Sequence, residues 1–294
     1  MNIQIRKLTE MEDVNLILEL MQKVWQMHER EIVSSFEMKA VTQFGLLLGA
    51  YDIDNDSTKP IGFIYAFNKF PDIHYSHMMG IDPAYQGKNI GFLLKKFHRE
   101  QALKALNPII NYIEWTVDPL LSMNATLNFR KLGVVCNTYH ENFYGIPTSV
   151  GIYPSLPTDR IQVSWHIRSP RVERRYESTY TSELPWKSST QLINSIPTIT
   201  HYSKNKGFFD SPTVEDIQQL GSPELFALEV PDRFTESSRK NYEWALEWRT
   251  GTRSIFRNGF SNNYNLVDFL SFKEQNNIRR NFYIFTRNVN DYKY

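Results

Sequence analysis

Two apolar runs, LLLGAYDI from Leu46 and IGFIYAFN from Ile61, stand on either side of the polar turn DNDSTKP. A third, HYSHMMGI, follows and stops at Asp82-Pro83. Short apolar runs bounded by turn residues predict strands. Before them, IQIRKL alternates apolar and polar residues as a strand does, and Thr9 to Met27 changes to helical spacing. That spacing puts Val14, Ile17, Leu18, Met21, Val24 and Trp25 on one face, and Thr9 followed by Glu12 fits a capping box. After Pro83 a glycine-containing loop leads into a helix expected to bury Ile90, Leu93, Leu94 and Phe97. NYIEWTV then predicts a strand, and SMNATLNFRKLG a helix stopped by Gly133. Two further strands lie in VVCNTYHENFYG and DRIQVSWHI. The order to about Ile167 predicts an α/β (α+β) fold, one mixed sheet flanked by helices.

RSPRVERRYESTYTSELPWKSSTQ breaks this pattern, being charged, rich in Ser and Thr, and interrupted by Pro170 and Pro185. It predicts a linker or extended arm. Order returns after Pro197: ELFALEV as a strand, a helix through TESSRKNYEWALEWRTGTRSIFRNG, and a closing hairpin from YNLVDFLSF and NFYIFTR. Tyr242, Ala245, Trp248 and Ile255 share one stripe of that helix. The expected organisation is a first domain over residues 1–168, a linker over 169–197, and a smaller C-terminal α/β domain over 198–294.

A net charge of +1 argues against a nucleic-acid-binding surface spread over the molecule. RSPRVERR contains Glu173 and no interleaved aromatics, so it reads as a solvated segment. No stretch approaches the roughly 18 apolar residues of a membrane span, and MNIQIRKLTEMEDV reads as a strand and helix start, not a signal peptide. Cys136 is the single cysteine, which excludes an internal disulfide and a zinc site built on several Cys. A cytoplasmic setting is the expectation.

Within DPAYQGKNIGFLLKKFHRE, Gly87 and Gly91 lie just before and at the start of a helix carrying Lys88, Lys95, Lys96 and Arg99. Free amides and the helix dipole make such a start suited to phosphate. Packing would explain the same glycines, and the lysines fit a solvated face as well as an anion site.

The neighbouring residues narrow this. GIDPAYQGKNIGFLL resembles the CoA-binding signature of the GNAT superfamily of acyl-CoA N-acyltransferases, Gln/Arg-x-x-Gly-x-Gly/Ala after a strand. Gln86, Ile90 and Gly91 match it; Asn89 replaces the middle glycine and is the residue best able to share its left-handed geometry. NATLNFRKLGV resembles a later helix of the family, and the resemblance covers a little over half of the chain. Together with WTVDPLLSMNA, NFYG and LPTDR, the pattern is similar to a bacterial subgroup with a C-terminal extension, some of whose members are associated with amino-acid acylation and succinyl-CoA.

The resemblance implies acetyl-CoA or another acyl-CoA as cosubstrate and a small-molecule amine, an amino acid among the candidates, as acceptor. It implies that amides of Gly87, Lys88, Asn89, Ile90 and Gly91 cradle the pyrophosphate, and that backbone near Met79 and Ile81 meets the pantetheine arm and polarises the thioester. Asn124 would bond the pantetheine, or else cap its helix. His77 stands four residues before Ile81, where many members carry a catalytic Glu, and is the leading base; a hydrogen-bonded core or cleft histidine is the alternative. Asp118 and Glu114 are rival bases, with a turn or cap role open for Asp118. Phe129 falls where relatives carry the Tyr that protonates the thiolate, which leaves Tyr139, Tyr144 or water as the acid, or a protein that binds CoA without chemistry. His28, Glu29 and Arg30 fall where the family lines its acceptor site. The C-terminal region would cover the acceptor cleft or form a homodimer contact.

Overall fold

The computed structural model describes residues 1–26, 32–69, 71–106, 108–145, 155–176, 189–200, 210–274 and 277–288. His28, Glu29 and Arg30 lie outside them. The described chain divides into two compact units, and the division falls between Trp115 and Thr116.

The first unit contains β1 (Ile3–Lys7), α1 (Met11–Trp25), α2 (Ser35–Val41), β2 (Gly45–Asp52), β3 (Gly62–Lys69), β4 (Ile73–Ile81), α3 (Ile90–Lys104) and the start of β5 (Tyr112–Val117). Its strands run in the order β1-β2-β3-β4-β5. β1 to β4 pair antiparallel; β4 and β5 pair parallel. One face of this sheet packs Leu47, Tyr51, Phe63 and Tyr65 against Val14, Ile17, Leu20 and Met21 of α1 and Met38 and Val41 of α2. The other face packs Leu46, Leu48, Ile64 and Ala66 against Ile90 and Leu94 of α3. Alternation along β2 and β3 thus sends successive apolar residues to two separate cores. α1 starts two residues after Thr9, with Glu10 at its N-cap and no side-chain cap bond, so the expected capping box does not form.

α3 corrects the predicted buried face. It buries Lys95 and His98 with Ile90, Leu94 and Ala102, whereas Leu93 and Phe97 are half-buried. The reason is the polar surface of β4 beneath it. Lys95 Nζ donates to Ser76 Oγ at 3.0 Å and lies 3.3 Å from the centroid of the Trp115 ring. His98 Nε2 and His74 Nδ1 are 2.9 Å apart, and the other ring nitrogen of each is buried without a partner.

The second unit contains the rest of β5, α4 (Ser122–Ala125) running into a π-helical turn (Thr126–Leu132), β6 (Val135–His140), β7 (Arg160–His166), α5 (Pro170–Arg174), α6 (Ser189–Ser195), β8 (Thr198–Ile199), α7 (Val214–Gln219), β9 (Leu225–Val230), α8 (Phe234–Ser238), α9 (Tyr242–Ser261), β10 (Asn265–Lys273) and β11 (Arg279–Thr286). Its strands run β7-β6-β10-β11-β9-β8, all antiparallel except β8 beside β9. Gly133 ends the π-helical turn with φ of 76°, as its position in the sequence predicts. Val135, Val267, Leu270, Phe282 and Ile284 pack with Leu192 and Ala227 into one core.

Each unit is a mixed sheet with helices, in line with the predicted class. The sequence expectation places a boundary near residue 168. β6 pairs with β10 through Cys136 and Leu266, so strands assigned by sequence to the first domain share a sheet with the C-terminal hairpin. The expected linker over 169–197 carries α5 and α6, and its residues 177–188 lie outside the described ones. Among the described residues no helix is long and apolar enough to cross a membrane.

Burial, and secondarily Lys95, holds the His74 imidazole down to about 4 from 6.5; burial pushes His98 well below the usual range. The unfolded chain therefore binds protons that the folded chain refuses between these values. Stability from this pair is complete above pH 6.5 and is lost as pH falls from there towards 4, by about 3 kcal/mol for His74 alone. Urea unfolding followed across this window should show midpoints falling below pH 6.5, and a flat profile down to pH 5 would contradict the burial of neutral histidines.

Candidate active site

The first unit holds a structural singularity in β4. Tyr65 of β3 pairs with Met78, but Phe67 pairs with Tyr75, so Ser76 and His77 together oppose Ala66. This is a β-bulge, which disrupts the local ladder and re-aims side chains. Ser76 goes to the α3 side and bonds Lys95. His77 goes to the other side, where its ring lies 5.9 Å from Tyr65, 5.7 Å from Phe67 and 6.1 Å from Tyr75. Beyond the bulge, Met79 and Ile81 pack with the α3-side core while their backbones pair with Ile64 and Gly62 of β3.

The parallel register of β4 and β5 closes at Tyr75 and Glu114, although β4 continues to Ile81. Among the described residues this leaves one edge of β4 unpaired after Tyr75, and such an edge presents N–H and C=O groups to any extended ligand that carries amides.

β4 ends at a loop fixed by Asp82. One carboxylate oxygen accepts from Ala84 N at 3.0 Å, and the other pairs with Lys23 Nζ of α1 at 2.6 Å. Burial opposes its ionisation, but Lys23 and the Ala84 amide hold its pKa below the usual value. Pro83–Tyr85 form a 3-10 turn, and Gln86 Nε2 donates back to Ile81 O at 3.3 Å. Gly87 then takes φ of 77° and Asn89 takes φ of 65° and ψ of 10°, both left-handed. The sequence expectation that Asn89 could supply glycine geometry matches this backbone. Asn89 is the N-cap of α3, so Ile90 and Gly91 open the helix, where first-turn amides have no intrahelical acceptor. Left-handed turns next to a helix start form amide-lined concavities suited to anions.

Lys88 is exposed, with its ammonium 4.5 Å from the Tyr85 ring centroid. Lys96 is exposed too, but Lys95 is fully buried and burial lowers its pKa well below 10.5. Lys95 is therefore neither a solvated residue nor available to a phosphate at the loop.

His77 is half-buried. Burial lowers its pKa below 6.5, and the Glu37 carboxylate opposes that shift in part. The imidazole is thus unprotonated at neutral pH and suited to accept a proton. Tyr65 beside it is pushed up to about 12 by burial and by Glu37, so its hydroxyl keeps its proton.

Of the other predicted residues, Glu114 pairs with Lys69 at 3.0 Å in the first unit. The remaining four lie in the second. Asp118 is 4% exposed and takes both terminal nitrogens of Arg249, at 2.8 and 2.7 Å. Its Oδ1 also accepts from Leu120 N at 2.9 Å. Burial disfavours its charge, yet Arg249 outweighs burial and the pKa is lowered. A carboxylate held by a buried bidentate guanidinium is a poor base, and the Leu120 bond fits the turn role left open for Asp118. Tyr139 donates to Asp159 at 2.6 Å, and burial drives its pKa far upward. Asp159 is gripped by Arg253 at 2.8 and 3.0 Å, so Tyr139 belongs to a packed network. Tyr144 is 54% exposed, with its hydroxyl 3.5 Å from Thr116 Oγ1. Asn124 is exposed within α4, where Leu121 is the N-cap, so the capping alternative does not hold. Phe129 is fully buried and meets Tyr283 edge-on at 5.6 Å.

The structure therefore brings His77, Met79, Ile81 and the Gln86–Gly91 loop to one end of the first unit. Sequence reasoning missed Ser76 and Glu37, and offered Lys95 only as a phosphate contact or a solvated residue. The adjacency of Ser76 to His77 could not announce a bulge, because a regular strand and a bulged one share the same composition. A cavity of about 300 Å³ in the second unit is lined by Ile217, Leu220, Phe226, Asn258, Asn262 and Tyr264, and contains none of the predicted residues.

Asn89 provides a direct test of the loop. If the loop holds coenzyme A, as the resemblance implies, Asn89→Gly should preserve that affinity. Asn89→Val, a β-branched residue forced into left-handed backbone, should weaken it by about 1–2 kcal/mol, some five- to thirtyfold, in calorimetric titration. Equal affinity for both variants would show that the loop backbone does not hold the ligand. Separately, Arg249→Met should lower stability by about 3 kcal/mol in urea unfolding, because it leaves the buried Asp118 carboxylate with only Arg160 at 3.6 Å and the Leu120 amide.

No family model matches the sequence, and no curated protein matches it. Part of the chain is similar in fold to solved structures. The ribosomal-protein-S18-alanine N-acetyltransferase from Escherichia coli is 17% identical, over 56% of this chain and 94% of that one, with a TM-score of 0.44. NAA60 from Arabidopsis thaliana in complex with acetyl-CoA is 13% identical over 56% and 99%, with a TM-score of 0.45. The PaiA N-acetyltransferase from Thermoplasma acidophilum in complex with coenzyme A is 17% identical over 56% and 99%, with a TM-score of 0.39.

Proposed function

We propose that the protein transfers an acyl group from acyl-CoA to the amine of a small molecule by direct attack. The observation that carries this reading is the run of three features along one strand end: the bulge at Ser76 and His77, the β4 edge past Tyr75, and the left-handed loop at Gly87 and Asn89. In this reading the amides from Gly87 to Gly91 hold the pyrophosphate and the β4 edge pairs with the pantetheine amides. That places the thioester beside the bulge, where an amide outside the ladder can stabilise the oxyanion. His77 takes the proton of the incoming ammonium. The neutral amine forms the C–N bond, the C–S bond breaks, and the proton shed by the new amide nitrogen passes to the departing thiolate through water.

A CoA thiolate is a good leaving group, so the absence of a hydroxyl at Phe129 does not stop the reaction. Water can protonate the thiolate. A second reading, binding of CoA without chemistry, is favoured by the same Phe129 and by the engagement of Tyr139 with Asp159.

Titration with acetyl-CoA and succinyl-CoA, followed by free-thiol release across a panel of amines that includes amino acids, decides between them. Tight binding with amine-dependent thiol release is expected; binding without release would leave the second reading standing. kcat/KM should fall on the acid side as pH drops through the His77 value, which lies below 6.5. His77→Ala should lower kcat by about a hundredfold, within the usual range for a lost general base, and should abolish that acid limb. Normal binding with full turnover at every pH in His77→Ala would remove His77 as the base.

A further inference from the structure

We propose that Lys95 is the positioning residue of this site: it fastens the β4 bulge to the helix that begins at the cofactor loop, and so fixes the direction in which His77 points. The proposal rests on the reading of His77 as the base.

Lys95 occupies a costly place. Its amine is buried, and among the described residues no carboxylate pairs with it. A buried amine without an acid costs stability, and a Met or Leu of similar volume would fill the same space without that cost. What the amine has instead is one hydrogen bond, to Ser76, and the face of Trp115. Both partners are special. Ser76 is one of the two bulge residues, and the other is His77. Trp115 follows Glu114, the last β5 residue in register with β4. The amine therefore grips both strands just beyond the point where their pairing ends.

The bond to Ser76 settles the sense of the bulge. Two residues opposed to one can slip so that either is displaced. With Ser76 Oγ held on the α3 side, the next residue must project to the opposite face, among Tyr65, Phe67 and Tyr75. If Ser76 is released, the strand can regularise locally and His77 can turn towards water. The same helix links the two halves of the site: α3 starts at Ile90, directly after Asn89, and reaches Lys95 within two turns. A ligand seated on the loop braces the helix that braces the bulge.

The groups facing the amine are Ser76 and His74 from β4, His98 from α3 and Trp115 from β5. Removal of the amine therefore removes both the bond to Ser76 and the field that helps to hold His74 and His98 unprotonated, and Ser76→Ala removes the bond alone.

Lys95→Met and Ser76→Ala, singly and together, test this. Each single variant should bind coenzyme A within about threefold of wild type and lower kcat by about tenfold or more, since small misplacement of a reacting group is costly. The double variant should lose no more than either single one, because both remove the same contact. The His77 imidazole, followed by NMR titration, should move up towards 6.5 in each variant as water reaches it. Full kcat with an unmoved His77 titration in Lys95→Met would overturn the proposal, and so would losses that add. If the wild-type protein binds acyl-CoA but acylates no amine, the proposed reaction falls. The NMR titration then decides the positioning claim by itself.

Discussion

Two residues of β4 against one of β3 is the constraint on which the first unit's site depends. A regular β4 would put Tyr75, His77, Met79 and Ile81 on one face. The extra residue reverses the alternation between His77 and Met78. His77 thereby faces the aromatic cluster, whereas Met79 and Ile81 still pack over α3 and help seat its first turn. The reaction proposed here needs a base on one side of the strand and a firmly packed cofactor helix on the other. A strict period of two cannot supply both.

Charge is buried in the two units by different means. In the second, Asp118 and Arg249 neutralise one another through two parallel hydrogen bonds, and Asp159 and Arg253 do likewise at part-buried cost. Such pairs resist dissection because removal of either member strands the other. In the first, His74 and His98 stay buried by giving up protons, and Lys95 is buried beside them with its pKa lowered and no acid among the three. Matched pairs hold one unit in shape at any ordinary pH. The other contains a cluster whose charge depends on pH.

Much of the fold was legible because its signals are local. Strand runs such as LLLGAYDI and IGFIYAFN, the stop at Gly133 and the closing hairpin all emerge where expected. Asn89 was legible because left-handed backbone admits few residues. The features that escaped depend on partners distant in sequence. Lys95 looks like one of several helix lysines until β4 brings Ser76 beneath it. Asp118 looks like a strand-end base until Arg249, far along the chain, closes on it. Nothing in VVCNTYHENFYG announces that its neighbour will be YNLVDFLSF.

That last pairing has a consequence for how the chain is made. β6 emerges during synthesis long before β10, and until Leu266 reaches Cys136 one edge of the β6–β7 hairpin is unsatisfied. Val135 meanwhile lacks Val267, Leu270 and Phe282, the side chains that cover it in the finished core. The first unit draws only on residues up to Trp115 for its described sheet and helices, so it can close early. The second must wait for nearly the whole polypeptide. Non-local pairing of this kind is slow and leaves apolar edges open to wrong partners. On the ribosome, the hazard falls on the stretch between Thr116 and Ile167, which is translated early and sheltered last.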